Sequence, residues 1–200
     1  MLRRGEIYDN PVTGERAIIR VGTDETDGER LVVDMQALPG TAGLGEHIHP
    51  SIDERYTVVH GRVGFSIDGR RSIAKPGDSV HIPPGVAHEW WNAGGEEARF
   101  VVEVRPAARF EALVRNLFGL AQDGRTDARG MPGLLQRSLL AREFADVIRF
   151  TKPHRRIQAV LFKILAPIAR LRGYRGSYPE YLERKPLIRL SEETMRAGEP

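Results

Sequence analysis

Hydrophobic and polar residues alternate along much of the first half of the chain, in short runs that are separated by turn-forming residues. A period of two is typical of a β-strand that buries one of its faces. Asp68-Gly69 lies between two such runs and indicates a tight hairpin, and His60-Gly61 and residues 93–96 supply further turns. Many short strands with turns between them predict an antiparallel barrel or jelly roll. The predicted strands include residues 17–21, 31–35, 56–59, 62–67, 79–82 and 100–104.

The periodicity changes to 3.6 residues after Pro106, which is expected to end the strand series. A glycine-rich stretch from Gly119 to Gly133 is predicted to be a mobile loop. A second helix is expected over residues 134–150, and a third from Pro153 with an interruption or kink at Pro167. The first helix carries one apolar stripe, formed by Phe110, Leu113, Val114, Leu117 and Phe118.

These patterns predict a mainly β protein with two parts, a β-barrel over residues 1–106 and an α-helical extension over residues 107–200. The apolar stripe of the first helix has to be buried, and the mouth of the barrel is the expected place. The extension would then pack on or cap the barrel and close a mostly apolar chamber.

Composition excludes several classes of protein. The chain has 200 residues, 40% of them hydrophobic, and a mean hydropathy of -0.37, which is typical of a globular protein with a real core. It contains no cysteine, so disulfides and thiolate chemistry are excluded. The start of the sequence lacks the apolar stretch of a signal peptide, and no run of 18 apolar residues occurs, so a cytoplasmic location is expected.

Charge is distributed unevenly along the chain. Residues 1–106 carry 12 basic and 17 acidic side chains (net -5), whereas residues 107–200 carry 18 and 10 (net +8). Within the basic half, apolar residues of the third helix are expected to pack on their own domain, and a basic amphipathic helix on a membrane surface is the alternative. No paired helix-turn-helix pattern is present, so nucleic acid is not an expected partner. The apolar residues in question are Ile157, Val160, Leu161, Ile164 and Leu165.

Three of the six histidines fall within two blocks, H-x-H-x4-E-x6-G over residues 47–61 and G-x5-P-x-G-x2-H-x3-N over residues 77–92. Side chains two apart on a strand share a face, so His47 and His49 point the same way. Glu54 and His88 each follow a turn and can return to that face. Three imidazoles and a carboxylate suit Fe, Mn, Ni, Zn or Cu with open positions, and Fe is preferred here. The alternative, ordinary polar residues on strands, is disfavoured because the glycines and prolines also fall at the required spacings.

Residues 43–92 resemble the two sequence motifs of the cupin superfamily, with every ligand position filled and Thr41 in place of the leading glycine. The resemblance covers about residues 30–105 and does not extend to the second half. It implies a double-stranded β-helix (a jelly-roll barrel) and one divalent metal, and it gives Asn92 a structural role. The metal ligands would be His47, His49, Glu54 and His88. The other histidines, His60, His81 and His154, are expected to face solvent.

The candidate catalytic residues are Glu54 and Tyr56, and the candidate substrate pocket is formed by Tyr56, Phe65 and Trp90. The expected function is that of a metal-dependent oxygenase or dioxygenase acting on a hydrophobic, aromatic or enolic small molecule. A metal-dependent isomerase, cyclase or decarboxylase is the alternative, as is a ligand-binding module without catalysis. No organic cofactor is expected. A homodimer formed through sheet edges is expected, because unpaired edges are otherwise a liability.

Overall fold

The computed structural model describes residues 1–186 and 188–191 of the chain. Strands dominate this part up to residue 105, and helices dominate after it. The strands are β1 (Glu6–Asn10), β2 (Glu15–Val21), β3 (Leu31–Ala37), β4 (His47–Ile48), β5 (Asp53–His60), β6 (Val63–Ile67), β7 (Arg70–Ala74), β8 (Ser79–Ile82), β9 (Ala87–Asn92), β10 (Ala98–Arg105), β11 (Arg149–Phe150) and β12 (Ile188–Arg189). The helices are α1 (Ala108–Gln122), α2 (Leu134–Glu143), α3 (Arg155–Leu171) and α4 (Pro179–Glu183).

Two antiparallel sheets form the barrel, one in the order β12-β1-β2-β3-β10-β5-β8 and the other in the order β11-β4-β9-β6-β7. The hairpin between β6 and β7 pairs Ile67 with Arg70 and leaves Asp68 and Gly69 as a two-residue loop. Both loop residues have positive φ, 51° and 76°, as the turn that matches the twist of a hairpin requires. The jelly-roll prediction is therefore confirmed, and so is the hairpin predicted from Asp-Gly.

The prediction that Pro106 ends the strand series is wrong. β11 pairs with β4, and β12 pairs with β1, so the second half of the chain adds one strand to each sheet. These strands are only two residues long. A two-residue strand is too short to show alternation, so the hydrophobic pattern carried no signal for either of them.

The helix boundaries differ from those predicted. Gly119 belongs to α1 and not to a loop. A Cβ at this position would lie 2.4 Å from the ring of Tyr181, so the helix needs glycine to pack there. α2 ends at Glu143, and the chain continues through a turn in which the Ile148 amide donates to the carbonyl of Phe144. Pro167 lies inside α3 and does not end it.

A single hydrophobic core joins the barrel to the helical half. It includes Val58 and Phe100 from the strands together with Leu117 of α1 and Phe144 after α2. The apolar stripe of α1 faces this core, with Leu113, Leu117 and Phe118 buried and Phe110 and Val114 packed against them. The boundary at residue 106 thus divides the sequence but not the core.

The outer helix α3 packs through its small residues. Ala166 and Ala169 are buried against Leu139 of α2. The predicted apolar face lies elsewhere: Leu161 and Leu165 are half-buried, whereas Ile157, Val160 and Ile164 are 58%, 62% and 58% exposed. The expectation that this face packs on its own domain is therefore wrong for those three residues. None of the helices in the described part of the chain is long and apolar enough to cross a bilayer.

Candidate metal centre and its cavity

Residues of both sequence motifs meet at one point of the barrel. β4 and β9 pair so that His47 lies opposite His88, and His49 follows directly after β4. Glu54 is contributed by β5 of the other sheet. All four side chains are buried, and all lie where the two sheets face each other. The convergence expected from the spacing of the motifs is present.

The ligand atoms of the three imidazoles all lie within 4.8 Å of one another. The Nε2 atoms of His47 and His49 are 3.1 Å apart. Glu54 places its Oε2 atom 2.9 Å from Nε2 of His88 and 3.7 Å from Nε2 of His49. A single ion at the centre of this group would be within reach of several donor atoms.

Backbone carbonyls fix the orientation of all three imidazoles. Since a carbonyl oxygen only accepts hydrogen bonds, each Nδ1 must carry the proton and each Nε2 must present its lone pair to the centre. Partners of this kind are typical of metal-binding histidines, because they set the tautomer and raise the basicity of the ligand. The distances from Nδ1 to the carbonyl oxygen are 2.7 Å for His47 with Gly45, 2.6 Å for His49 with Val147 and 3.0 Å for His88 with Val86.

Two buried atoms at the centre lack a hydrogen bond. They are Oε2 of Glu54 and Nε2 of His88, which face each other at 2.9 Å. With the proton of His88 held on Nδ1, both of these atoms are acceptors, and two facing acceptors need a cation between them. Nitrogen ligands together with one carboxylate fit a borderline divalent metal of the first transition row. The residues at this point therefore fit a metal ion.

The charge states of these groups suit the same interpretation. Burial, helped by the nearby His49 and His88, lowers the pKa of His47 to about 3, and burial also lowers the pKa of His49. Burial acts to raise the pKa of Glu54, but the adjacent imidazoles of His88, His49 and His47 outweigh it and hold the pKa below its usual value. Glu54 in turn raises the pKa of His88 against the effect of burial, which makes His88 the one imidazole of the three at which a metal ion competes with a proton. Neutral imidazole and ionised carboxylate are the forms that bind metal.

A cavity of about 150 Å³ adjoins the candidate metal centre. Its wall is mostly apolar and includes His47, His49, Glu54, Tyr56 and Trp90. Tyr56 donates its hydroxyl hydrogen to Oε1 of Glu54 at 3.3 Å, so the carboxylate and the phenol form one polar patch in the wall. Small-molecule sites commonly combine an apolar wall with a few polar groups in this way.

Phe65, which we expected on the pocket wall, lies outside the lining of the cavity. It is fully buried and packs edge-to-face on Tyr56, with the ring centroids 5.2 Å apart. Alternation had placed Phe65 on the inner face of its strand, which is correct, but an inner face also contains residues that fill the core behind the cavity.

Sequence reasoning missed two contributions from the second half of the chain. Val147 supplies the backbone carbonyl that orients His49, and Phe110 of α1 packs edge-to-face on the same imidazole at 5.6 Å. The apolar stripe of α1 was predicted, but its contact with a candidate ligand was not. Residues of this helix, among them Leu113, Val114 and Leu117, form one side of the cavity.

The remaining polar residues of the motifs have structural or surface positions. Asn92 donates to the carbonyls of Ala37 and Glu96 and accepts from the Gly94 amide, which ties a turn to the sheet. His60 and His81 are exposed, beside Glu96 and Asp53 respectively. His154 is exposed at the N-cap of α3, where its side chain accepts from the Arg156 amide.

Residues 33–104 match the family model described as the cupin domain. This part of the chain is a cupin domain. The match spans β3 to β10 and includes all four candidate ligands, whereas the helices lie outside it. The expected resemblance is thereby confirmed for the barrel.

Comparison with known proteins gives relatives of several kinds. The polyketide synthase CurC of Streptomyces cyaneus is 35% identical over 65 residues, which are 32% of this chain and 42% of that protein. The chain thus spans about two fifths of the length of this curated relative. A predicted oxalate decarboxylase from Thermotoga maritima is 22% identical, with 52% of this chain and 98% of that one covered and a TM-score of 0.45. KdgF from Halomonas sp. is 20% identical, with 50% and 86% covered and a TM-score of 0.44.

Proposed function

We propose that this chain is a metal-dependent enzyme of the cupin type, and that it is an oxygenase acting on a small aromatic or enolic substrate. The observation that carries the proposal is the set of three buried imidazoles whose Nε2 lone pairs converge beside a carboxylate at the wall of an apolar cavity. We propose His47, His49, Glu54 and His88 as the ligands. A divalent metal bound there would supply Lewis-acid polarisation of a substrate oxygen, and iron would add redox chemistry.

The protein groups around the centre would bind the substrate and handle its proton. The rings of Trp90 and Phe110 line the cavity and offer flat apolar surfaces to an aromatic substrate. Glu54 is held ionised and would be the group that accepts a proton from an enol, while the hydrogen bond from Tyr56 orients its carboxylate. The apolar wall excludes water and strengthens both interactions.

The similarity to a polyketide synthase favours a second candidate. Polyketide chains carry carbonyl groups that enolise readily, and Lewis-acid polarisation with Glu54 as base would suit their cyclisation or isomerisation without any oxidant. The relative is matched over 65 residues only. The same cavity and the same residues would serve both reactions, so the use of oxygen separates the candidates.

The metal assignment is tested by metal analysis of the wild type and of His88→Ala. We expect one equivalent of metal in the wild type and at least about 100-fold weaker binding in the variant, since the loss of a ligand exceeds the loss of an outer partner. His81→Ala is the matched control, because this exposed histidine lies outside the site on β8, the strand that precedes β9 in the sequence. A His88→Ala protein that is folded by circular dichroism and retains stoichiometric metal would refute the assignment.

The reaction is tested with the Fe-, Mn-, Ni- and Zn-loaded forms and a panel of catechols, flavonols, diketones and short polyketide analogues. Oxygen uptake equal to substrate loss supports the oxygenase. Conversion that proceeds equally under nitrogen supports the cyclase or isomerase instead. Tight ligand binding without conversion by any metal form would contradict both and leave a binding module. Tyr56→Phe should keep its metal and lose about tenfold or more in rate if the phenol orients the Glu54 carboxylate for proton transfer.

A further inference from the structure

α3 presents a continuous apolar stripe to solvent. Ile157, Val160 and Ile164 are followed at helical spacing by Ile168 and Leu171, with exposed fractions of 39% and 89%. Residues spaced by three and four positions lie on one face of a helix, so these five side chains form a single seam along its length. A seam of this size is unusual on a surface that meets only water, and it marks an interaction site.

The opposite side of α3 is already used. Ala166 and Ala169 are buried against Leu139, so the helix is held on α2 by its small residues, and the five residues of the seam lie on the opposite side. No described residue covers the seam.

The charged residues beside the seam indicate what kind of partner it binds. From Val147 to Arg175 the chain has eight basic residues and no Asp or Glu. Arg156, Lys163 and Arg170 recur every seven residues and are exposed, so they form a basic row beside the seam. A second copy of α3 packed on the seam would place like charges along the shared edge, which is unfavourable. An anionic surface that also accepts apolar side chains matches both the apolar seam and the basic row.

We propose that α3 docks this protein on anionic phospholipid bilayers, lying in the plane of the headgroups. The seam of Ile157, Val160, Ile164, Ile168 and Leu171 would enter the boundary of the acyl chains, and the basic row would contact the phosphates. Membrane-surface helices have this division into an apolar and a basic face, and their binding depends on both. The helix is not a transmembrane span, so the attachment is peripheral and reversible.

The test is flotation of the full-length protein with vesicles of phosphatidylcholine alone or with about 30% phosphatidylglycerol. We expect binding to the anionic vesicles at least about tenfold stronger than to the neutral ones, and weaker as the salt rises from about 0.05 M to about 0.5 M. Val160→Ser/Ile164→Ser should lower binding by about tenfold or more. Leu38→Ser/Val59→Ser, at two exposed apolar residues of the barrel, is the matched control and should bind as the wild type does.

A second pair of variants tests the charges. Lys163→Glu/Arg170→Glu should lower binding to anionic vesicles by about tenfold or more, since each basic residue near the surface contributes about fivefold. Arg70→Glu/Lys75→Glu, at exposed positions on the far strand β7 and its following turn, should not. Equal binding by the seam variant and the wild type would overturn the proposal, and so would a failure of the wild type to bind either vesicle. A wild-type dimer that becomes a monomer only in the seam variant, without vesicle binding, would show that a second copy covers the seam instead.

Discussion

His49 donates its Nδ1 proton to the backbone carbonyl of Val147, 2.6 Å away and 98 residues later in the sequence. The contact connects a candidate metal ligand of the barrel to the turn that follows α2. Two residues further on, β11 pairs with β4, the strand that carries His47. The helical half is therefore part of the support of the candidate metal centre, and not an independent appendage.

A chain ending at Pro106 should lose this support. It lacks the Val147 carbonyl, and it exposes the core that α1 covers with Leu113 and Leu117. We expect such a chain to bind metal about 10–100-fold more weakly, because an outer hydrogen-bond partner of a ligand is gone, and to aggregate more readily. Titration with Zn²⁺ or Fe²⁺ measures the change, and a chain ending at Ser191 is the control. Unchanged metal affinity in a soluble chain of residues 1–106 would show that the helices are dispensable for the site.

The buried pair of Glu111 and Arg115 should matter for stability. Nη1 of Arg115 lies 3.1 Å from Oε1 of Glu111, and both side chains are less than 10% exposed. Glu111→Gln leaves a buried guanidinium without its counter-charge, so we expect the free energy of unfolding at pH 7 to fall by about 3 kcal/mol. Urea unfolding measures the change. Glu143→Gln, at a carboxylate that is 45% exposed, should cost far less.

The pair of Glu111 and Arg115 also predicts that the free energy of unfolding depends on pH. Burial acts to raise the pKa of Glu111, but hydrogen bonds from Thr23, the Leu2 amide and Arg115 outweigh it and hold the pKa below its ordinary value of 4.5. A carboxylate with a lowered folded pKa gives stability that is complete above the unfolded pKa and is lost as the pH falls through the folded one. The difference between wild type and Glu111→Gln should therefore be constant above about pH 5 and shrink below 4.5. A constant difference down to pH 3 would contradict this account.

Gly119 should resist substitution although it lies inside a helix. A Cβ there would meet three ring atoms of Tyr181 at 2.4, 2.6 and 2.8 Å, and this ring is buried. Alanine normally stabilises a helix by about 1 kcal/mol relative to glycine, but overpacking costs about 1–3 kcal/mol and should prevail here. We expect Gly119→Ala to lower the free energy of unfolding. In Gly133→Ala, at the N-cap of α2, the new Cβ meets nothing within 4 Å, so a smaller loss in thermal unfolding there would attribute the loss at Gly119 to its contact with Tyr181.

The sheet edges predict self-association. β8 ends one sheet and β7 ends the other, and Ile73 on β7 is 55% exposed. Since an unpaired edge is open to a second strand, we expect a dimer with twice the chain mass of 22.4 kDa by light scattering at micromolar concentration. Ile73→Lys should weaken it, because an edge lysine opposes pairing. A mass of 22.4 kDa for the wild type would rule the dimer out.

The sequence predicted the barrel and the place of His47, His49, Glu54 and His88, because histidine, glycine and proline at fixed spacings constrain both the turns and the ligands. Other features have no signature in the sequence pattern. The partner of His49 is a backbone atom of Val147, which any residue would provide. The apolar stripe on α3 was predicted from its periodicity. Periodicity shows which side of a helix is apolar, but it does not show whether other residues cover that side. Gly119 looked like a loop residue because its packing partner, Tyr181, is far away in sequence.

Two different kinds of element surround the cavity. The candidate ligands belong to strands β4, β5 and β9 and the loop after β4, whereas Leu113, Val114 and Leu117 reach the cavity from α1. A substitution at one of these three residues changes the shape of the chamber without replacing a candidate ligand, whereas Phe110 of the same helix packs on His49. Variation at these positions of α1 would change which small molecule the cavity admits, so a search for variants with altered ligand selectivity should begin on that helix surface.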